Sequence, residues 1–363
     1  MDYQSPSSTR HTQRGDRLVT GRRVDGDADG RSQLPKIVSL FSGAGGLDLG
    51  FQEEGFEIEI AFDISPAAIK THKRNFPKAA GVADDLTTLG PAGVLKNVLS
   101  AIPPGTRIGI IGGPPCQGFS RANVSAKASD PRNELPKLYV KIIRKLQTAY
   151  SVDFVVFENV LGMRDAKHAT KYKGLVRGLK GLGFHVSEQE LCALDFGVPQ
   201  ARKRVVLAAV ANGATTPNLR PRRRTGSANV REAIGALPAP VFFSRDLTAK
   251  DIPEHPNHWT MNPRSPRFTL GMNGREGRSF KLLAWDKPSP TIAFGHREIH
   301  VHPNGSRRLS ILEAMLLQGF TKEFVLEGNL SEQVEQVSNA VPPPLARSLA
   351  SAIRRCLQKA VKK

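Results

Sequence analysis

Cysteine is scarce in this 363-residue chain, which contains only Cys116, Cys192 and Cys356. Three scattered thiols are too few for a disulfide framework or a four-ligand zinc site, so we expect a reducing compartment and at most one functional cysteine. Long hydrophobic runs are also missing, because no segment offers the roughly 18 consecutive apolar residues that a membrane span needs. These two absences exclude a disulfide-stapled secreted domain and a membrane-spanning protein.

Acidic residues are outnumbered, since 33 Asp and Glu face 52 Lys and Arg and leave a net charge of +19. Such an excess favours a polyanionic partner over a small neutral substrate. It is concentrated between Gln200 and Ser310, where 19 Lys and Arg accompany 7 Asp and Glu. A charged run is commonly a solvated face, but this one is rich in arginine and interspersed with Gly, Pro and Asn, as nucleic-acid contact loops often are. We therefore favour a nucleic acid as the partner.

The first 35 residues are rich in Ser, Thr, Arg, Asp and Gly and have almost no apolar periodicity, which predicts a disordered tail. This tail lacks the apolar core of a secretory signal peptide, and its aspartates argue against an organelle presequence. We therefore expect a cytoplasmic protein.

From Lys36 onward, short apolar runs alternate with amphipathic stretches. The pattern predicts strands at 37–41, 58–63, 108–111, 154–157 and 205–210, and helices at 66–76 and 172–182. Buried strands that alternate with helices indicate an α/β fold with a doubly wound, mostly parallel sheet. Because such sheets bind ligands at the carboxyl ends of their strands, we expect the chemistry in the loops that follow these runs.

The alternation stops near Asn212, where a stretch rich in Pro, Arg and Asn begins. Its aromatic residues, Trp259 and Trp285 among them, give it something to pack, so we predict a small irregular domain and not a disordered insert. Helical periodicity resumes at 309–317 and 345–357. The chain is therefore predicted to contain a tail (1–35), a main domain (36–211 plus 331–363) and a smaller second domain (212–330).

A glycine-rich turn, Phe41-Ser42-Gly43-Ala44-Gly45-Gly46, follows the first predicted strand. Glycines let a ligand approach the backbone, and the helix N-terminus behind them offers free N–H groups. Asp63 ends the second predicted strand, where a carboxylate can accept hydrogen bonds from both hydroxyls of a ribose. No Walker lysine follows the glycines, so an adenosine-containing cofactor is favoured over a triphosphate. Asp84 and Asp85 are either an acceptor for an adenine amino group or a solvated turn pair.

Cys116 follows Gly112-Gly113-Pro114-Pro115, just after the predicted strand 108–111. A thiol held and exposed on such a constrained loop is what a nucleophile needs, whereas Cys192 and Cys356 lie in apolar surroundings typical of buried thiols.

Glu158 follows the predicted strand 154–157 at the same edge of the sheet, and partial burial there would raise its pKa toward the range of a general acid.

Two arginines, Arg202 and Arg204, precede the last predicted strand of the main domain. Strand alternation places them on one face, where they form a pair suited to a phosphate, a carboxylate or a base carbonyl. One edge of the predicted sheet thus carries the glycine-rich turn, Cys116, Glu158 and the two arginines. The basic second domain lies next to it in the sequence.

Six motifs in this order resemble those of the cytosine-C5 DNA methyltransferase family, from about Lys36 to the C-terminus. The matching segments are 41–46, 114–117, 158–160, 200–204, 307–320 and 339–342. Each motif alone is weak, but six in the same order are specific. The chain departs from the family at Ser338, where glycine is usual, and at Leu312 and Leu316, where arginines are common. These departures lie at packing positions and leave the chemistry unchanged.

The resemblance implies a class I methyltransferase fold that uses S-adenosylmethionine to methylate C5 of a cytosine flipped out of duplex DNA. It implies that Cys116 adds to C6, Glu158 holds N3 and the exocyclic amine, Arg204 holds O2, and Arg202 supports the pocket or a phosphate. The implied cofactor-binding residues are Phe41, Gly43, Gly45, Gly46, Asp63, Ile64, Asp85, Leu86, Pro115 and Asn339. The implied DNA contacts are Gln117, Ser120 and Thr291. Target recognition falls to residues 212–330, and no metal is expected.

The resemblance further suggests a monomer, associated with the nucleoid, that belongs to a restriction–modification system with a separate restriction endonuclease or acts as an orphan methylase. A tRNA cytosine methyltransferase would share the catalytic edge, but its relatives usually carry a Cys-Phe-Thr element in the second domain, which has no cysteine here. A non-catalytic DNA-binding protein of the same fold would not need Cys116, Glu158, Arg202 and Arg204 together. A cysteine hydrolase is disfavoured because no histidine lies near Cys116.

Overall fold

Seven strands form the central sheet of the protein, whose structure is a computed structural model. It describes residues 33–115, 131–211, 228–269, 280–292 and 299–361. The strands are β1 (Lys36–Leu40), β2 (Ile58–Asp63), β3 (Ala80–Ala83), β4 (Arg107–Gly112), β5 (Ser151–Asn159), β6 (Phe184–Cys192) and β8 (Lys203–Ala211). The predicted tail lies almost entirely outside the described residues, and those from Leu34 onward form one compact unit.

The strand order is β3-β2-β1-β4-β5-β8-β6. Strands β1 to β5 pair in parallel, and β8 runs antiparallel to both β5 and β6. The chain crosses outward from β1 in both directions, so the loops on the two sides of β1 diverge and leave a crevice at the carboxyl edge. This confirms the predicted α/β class with a doubly wound, mostly parallel sheet.

Helices cover both faces of this sheet. Those of eight residues or more are α1 (Gly46–Glu53), α2 (Pro66–Asn75), α3 (Leu86–Ala101), α4 (Leu135–Leu146), α5 (Ala169–Gly181), α9 (Leu330–Asn339) and α10 (Pro343–Val361). The shorter ones are α6 (Val230–Ile234), α7 (Pro266–Thr269) and α8 (Ile311–Leu317). Helices α1 and α10 contribute to the core on one face, and α3, α4 and α5 contribute to the core on the other. Among the described residues, no helix is both long enough and apolar enough to cross a membrane.

Local sequence explains how the strand-to-helix turns at the crevice form. Ser65 caps α2, because its hydroxyl accepts from the Ala68 backbone N–H at 3.3 Å, and Pro66 occupies the first turn. Asp85 caps α3 by accepting from the Thr87 N–H at 2.8 Å. These caps end β2 and β3 abruptly and turn their last residues toward the ligand side of the sheet.

Short strand pairs organise the described residues after Ala211. They are β9 (Val241–Phe242) with β10 (Trp259–Thr260), β11 (Phe280–Leu282) with β13 (Ile299–Val301), and β12 (Ser289–Pro290) with β7 (Gln200–Ala201). A small apolar cluster that includes Val230, Leu283 and Ile292 packs beside them, while Trp259 and Phe320 join the main core. This segment is irregular, as predicted, and the domain bounds at 212 and 330 stay predictions.

A buried ion pair fixes the turn before α8. Both guanidinium nitrogens Nη1 and Nη2 of Arg307 donate to the Glu313 carboxylate, at 2.7 and 2.8 Å, and the Ser310 backbone N–H donates to it at 2.7 Å. Glu313 is fully buried, so its charge depends on these partners.

Replacing Arg307 with methionine leaves the buried Glu313 carboxylate without its partner, and we expect the free energy of unfolding to fall by about 3 to 5 kcal/mol. Arg231→Met is the matched control, because Arg231 makes an equally bidentate pair with Asp286 at the exposed surface and its loss should change stability little. Urea denaturation of the three proteins tests this, and equal losses in both variants would contradict it.

Candidate active site

A cavity of about 490 Å³ opens at the carboxyl edge of the central sheet. Its wall is formed by the residues that follow β1, β2, β3, β4 and β5, by the start of β8, and by the end of α9. The predicted residues Phe41, Asp63, Glu158, Arg204 and Asn339 all line it. Of the sequence-predicted cofactor and catalytic positions that the structure describes, all but Gly45 and Gly46 line this space.

The glycine turn after β1 adopts backbone conformations that explain its sequence. Gly43 and Gly45 have positive φ angles of 55° and 94°, which glycine adopts without strain. Phe41 also has a positive φ, 55°, a costly conformation for a bulky residue that the turn imposes at the cavity wall. A Cβ on Gly46 would lie 2.3 Å from the Val341 carbonyl oxygen, so only glycine lets α1 meet the C-terminal segment here.

Asp63 joins the glycine turn to the end of β2. Its Oδ2 accepts from the Gly43 N–H at 2.8 Å, and its Oδ1 accepts from the Ser65 N–H at 2.9 Å. Burial raises the pKa of this carboxyl, while the two backbone donors oppose the shift. Each carboxylate oxygen keeps a lone pair directed away from the backbone, so Asp63 can also accept from ligand hydroxyls.

Ile64 and Asp85 stand at the outer part of the cavity. Ile64 is 66% exposed although it is a large apolar residue, and it presents a hydrophobic surface to the cavity. Asp85 is half-buried and both its oxygens are engaged by Thr87, one by the backbone N–H and one by the hydroxyl at 2.7 Å. Leu86 is buried beneath them. Asp85 therefore serves as a helix cap as well as a cavity wall.

Glu158 and Arg204 meet across the β5–β8 pair. The Arg204 Nε donates to the Glu158 Oε1 at 3.0 Å, and both side chains are about a tenth exposed. Burial raises the pKa of Glu158 above its ordinary value, and the positive charges of Arg204 and then Arg202 oppose that rise only in part. Gly113 faces the same carboxylate, since a Cβ there would lie 3.0 Å from its Oε2. A carboxyl with a raised pKa is thus held beside the loop that follows β4.

The loop after β4 is tied to the end of β5 where it leaves the described residues. The Asn159 side-chain amide donates to the Pro114 carbonyl at 3.0 Å, and Asn159 is almost fully buried. Pro115 lines the cavity as predicted. Cys116, Gln117 and Ser120 lie outside the described residues. The described part of the loop, Gly113 to Pro115, therefore has a fixed position beside Glu158.

Arg202 connects the site to the C-terminal segment. Its Nη2 donates to the Ser338 carbonyl at 2.9 Å, and the residue is 2% exposed. Gln200 Nε2 donates to the Gln318 side chain at 2.6 Å, and the Gln318 amide donates to the Ala340 carbonyl at 2.6 Å. These bonds hold the segment with Asn339 against the sheet edge.

Thr291 reaches the same edge from the second part of the chain. Its hydroxyl donates to the Ala201 carbonyl at 3.0 Å, next to Arg202. Thr291 therefore lies beside the arginine segment, and its contact with the flipped nucleotide stays a prediction.

Several cavity residues escaped the sequence prediction. Asp48 and His72 form a fully buried pair between α1 and α2, with Asp48 Oδ1 and His72 Nε2 separated by 3.2 Å, and Asp48 lines the cavity. Arg132, just before α4, and Glu335 on α9 also line it. Asp48 lies two residues after the glycine turn, a position that could have suggested it. No local signal marks the other three, because long-range packing places them.

The chain is similar in sequence to known proteins over most of its length. The profile of the family described as C-5 cytosine-specific DNA methylase matches residues 35–355. Type II methyltransferase M1.HphI of Haemophilus parahaemolyticus is 32% identical over 331 residues, which cover 87% of this chain and 86% of that protein. Type II methyltransferase M.MthTI of Methanothermobacter thermautotrophicus is 32% identical over 344 residues, which cover 89% of this chain and 98% of that protein.

Solved structures show the same fold. A prophage-encoded DNA modification methyltransferase of E. coli superposes with a TM-score of 0.73 and 23% identity, over 90% of this chain and 100% of that one. Spodoptera frugiperda DNMT2 superposes with a TM-score of 0.61 and 20% identity, over 88% of this chain and 100% of that one. At these identities the likeness concerns the fold alone.

Burial raises the pKa of Glu158 and Arg204 opposes that rise, and the balance between them predicts how stability depends on pH. A carboxyl whose pKa is higher in the folded state than its ordinary 4.5 binds its proton more tightly when folded, so its contribution to the free energy of unfolding falls as pH rises from about 4.5 through the folded value. We therefore expect wild type to lose stability relative to Glu158→Gln over this interval and to level off above it. Urea denaturation of both proteins from pH 4 to pH 8 measures the difference, and a relative gain for wild type would show that Arg204 outweighs burial.

Proposed function

The chain belongs to the C-5 cytosine-specific DNA methylase family, and from this membership we propose that it methylates cytosine in duplex DNA with S-adenosylmethionine as donor. Relatives named Type II methyltransferases align over most of its length, so it is a DNA cytosine-5 methyltransferase of the restriction–modification kind. The single observation that carries the mechanism is the buried Glu158 carboxyl, which lies beside Gly113 at the start of the Cys116 loop and shares a cavity with Asp63.

The described residues fit the proposed cofactor. Asp63 has acceptor capacity for the ribose hydroxyls, and Ile64 offers an exposed apolar surface for the adenine ring. Asp85 and Leu86 would border the adenine, and the turn from Phe41 to Gly46 would hold the methionine part together with Pro115 and Asn339. When bound, S-adenosylmethionine supplies an electrophilic methyl group on a sulfonium centre.

The protein's part in the reaction is to make cytosine C5 nucleophilic. The Cys116 thiolate would add to C6, forming a C–S bond and raising the electron density at C5. Glu158 would donate a hydrogen bond to N3 and accept one from the exocyclic amine, and its raised pKa suits it to giving N3 a proton as the adduct forms. Once C5 carries the methyl group, loss of the C5 proton to solvent, elimination of the Cys116 sulfur from C6 and return of the N3 proton to Glu158 would restore the ring.

The two arginines have separable roles in this scheme. Arg204 already contacts Glu158, so it would hold O2 of the flipped base while keeping the carboxyl in place. Arg202 is buried and bonded to the Ser338 carbonyl, so we assign it to supporting the pocket from beneath. Gln117, Ser120 and Thr291 would contact the target strand around the flipped base.

Recognition of the DNA sequence would fall to residues 212–330, whose arginine and asparagine side chains suit the edges of guanine and adenine. We propose a monomer that acts in the cytoplasm on the nucleoid, with any restriction endonuclease acting separately. A tRNA substrate is not favoured, because the relatives that align over most of the chain at about 30% identity are named Type II methyltransferases.

Transfer of labelled methyl from S-adenosylmethionine to unmethylated genomic DNA, with total RNA as the parallel substrate, tests the reaction. We expect 5-methylcytosine in one DNA sequence context, no label in RNA, and loss of transfer by at least about a thousandfold in Cys116→Ser. Cys356→Ser is the matched control, since that thiol lies on α10, outside the residues that line the cavity, and should leave activity unchanged. Label in RNA alone, or undiminished transfer by Cys116→Ser, would contradict the proposal.

The cofactor assignment predicts a specific loss in Asp63→Asn. An amide keeps one acceptor oxygen in place of two, and its NH₂ group would face a backbone N–H, so we expect the affinity for S-adenosylmethionine to fall by about tenfold or more. Asp84→Asn is the matched control, because Asp84 also lines the cavity but is exposed and accepts from the adjacent Asp85 N–H. Isothermal titration calorimetry measures both, and equal affinities in the two variants would contradict the role of Asp63.

A further inference from the structure

Helices α4 and α5 carry an unusual distribution of charge. Together they contain eight Lys and Arg and no Asp or Glu. Six of the cations are exposed and form two stripes with the same spacing. The α4 stripe is Lys137, Lys141 and Arg144, and the α5 stripe is Lys173, Arg177 and Lys180. Residues at i, i+4 and i+7 lie along one side of a helix, so each stripe is a continuous line of positive charge about 10 Å long.

The two stripes face solvent from neighbouring helices. The sides of α4 and α5 that face the sheet are buried and include Tyr139, Ile143 and Leu175. The helices touch where Gly178 meets Val140, since a Cβ on Gly178 would lie 2.8 Å from the Val140 Cγ1. The stripes therefore belong to one surface of the protein, on the side of the sheet opposite α1 and α10.

Folding does not account for these charges. Within the part of the chain that the structure describes, none of the six side chains makes an ion pair or a side-chain hydrogen bond. Like charges at i and i+4, as in Lys137 with Lys141 and Lys173 with Arg177, destabilise a helix. On the other side of the sheet, by contrast, Arg347 and Arg354 of α10 pair with Glu54. Glu134 pairs with Lys171, which lowers the pKa of that carboxyl, and the charges of Lys137 and Lys141 add to this shift. The stripes thus concentrate charge that is not held in ion pairs among the described residues, at some cost to helix stability.

The stripes start next to the catalytic edge. Arg132 lines the cavity, and α4 begins three residues later. Helix α5 follows the end of β5, which holds Glu158 at the same edge. A chain of cations therefore runs from the cavity outward along α4, with a second line beside it on α5.

We propose that the α4 and α5 stripes bind the phosphate backbone of duplex DNA that flanks the target cytosine, independently of its sequence. This inference rests on the proposed function, because it takes DNA as the substrate. Duplex DNA matches the surface in charge, and phosphates along one strand are spaced closely enough for a 10 Å line of cations to engage about three of them. Binding here adds affinity and salt dependence without adding sequence specificity.

The test uses the full-length enzyme and two triple variants, in each of which one stripe is replaced by glutamine. Lys70→Gln/Lys73→Gln/Lys359→Gln is the matched control, because it removes three exposed lysines from α2 and α10, away from both stripes. Fluorescence anisotropy at 50 to 200 mM salt compares a 40-base-pair duplex that contains the methylated sequence, a 12-base-pair duplex centred on it, and transfer RNA as competitor. Glutamine is a good helix former at exposed positions, and circular dichroism checks that each variant is folded.

For each stripe variant we expect about tenfold weaker binding of the 40-base-pair duplex at 100 mM salt, and a salt slope reduced by about 2 to 3. Binding of the 12-base-pair duplex, the affinity for S-adenosylmethionine and single-turnover methylation of the short duplex should stay within about twofold of wild type, as should every property of the control. An unchanged salt slope, an equal loss in the control, an equal loss on the short duplex, or a loss confined to transfer RNA would overturn the inference. Failure of wild type to bind or methylate DNA at all would instead overturn the proposed function.

Discussion

The pairing of Glu158 with Arg204 is the interaction on which the rest of the site depends. Moving a carboxylate out of water costs several kcal/mol unless a partner compensates it. Here the partner comes from β8, the one strand of the central sheet that runs against its neighbours. Because β8 is antiparallel to β5, its first residues lie at the edge where β5 ends, and Arg204 reaches the carboxyl of Glu158 at 3.0 Å. A parallel β8 would begin at the opposite edge and leave Glu158 unpaired.

The compensation is incomplete, and that has a chemical consequence. Burial still raises the pKa of Glu158, so at any given pH this carboxyl is protonated to a greater extent than an exposed glutamate. Gly113 leaves space against this carboxyl, and Asn159 fixes the start of the loop that leads to Cys116. The end of β5 therefore sets the positions of the Glu158 carboxyl and of Pro114 together.

Close backbone approaches bring the C-terminal segment to the cavity. Gly46 and Gly50 on α1 would clash with the Val341 carbonyl and with the backbone of Arg347 if either carried a side chain. These contacts, together with the bond from Arg202 to the Ser338 carbonyl, place Asn339 beside the glycine turn although it lies almost 300 residues later. The glycine turn and this late segment of the chain thus build one wall of the cavity.

The parts of the fold and site that follow from local sequence patterns could be predicted. These patterns placed β2 at its observed bounds and located Asp63, Glu158 and Arg204 at one edge, because apolar runs that end in a charged residue mark buried strands at a ligand-binding edge. The predicted strands did not include β3 and β6, which form the two edges of the sheet, and the first predicted strand ended at Phe41, whereas β1 ends at Leu40. Phe41 has a positive φ, so the strand cannot continue through it, but its apolar side chain suggests a strand residue.

Contacts between distant segments do not follow from local patterns. The Asp48–His72 pair and the bond from Arg202 to Ser338 join residues from different elements, and nothing in either segment encodes its partner. Ser338 departs from the family's usual glycine, yet it is the backbone carbonyl of this residue that Arg202 uses, so the substitution leaves the contact intact.

The roles of Cys116 and Glu158 are tested most directly by covalent trapping on a long DNA duplex that contains 5-fluorocytosine in place of cytosine. S-adenosylmethionine is present, and mass spectrometry then identifies the residue that is attached to the DNA. Fluorine at C5 cannot leave as a proton does, so the adduct persists. We expect wild type to form an adduct through Cys116. In Glu158→Gln, we expect the same adduct to form at least about a hundredfold more slowly, while the affinity for the cofactor stays unchanged. An adduct at another residue, or trapping by Glu158→Gln at the wild-type rate, would contradict these roles.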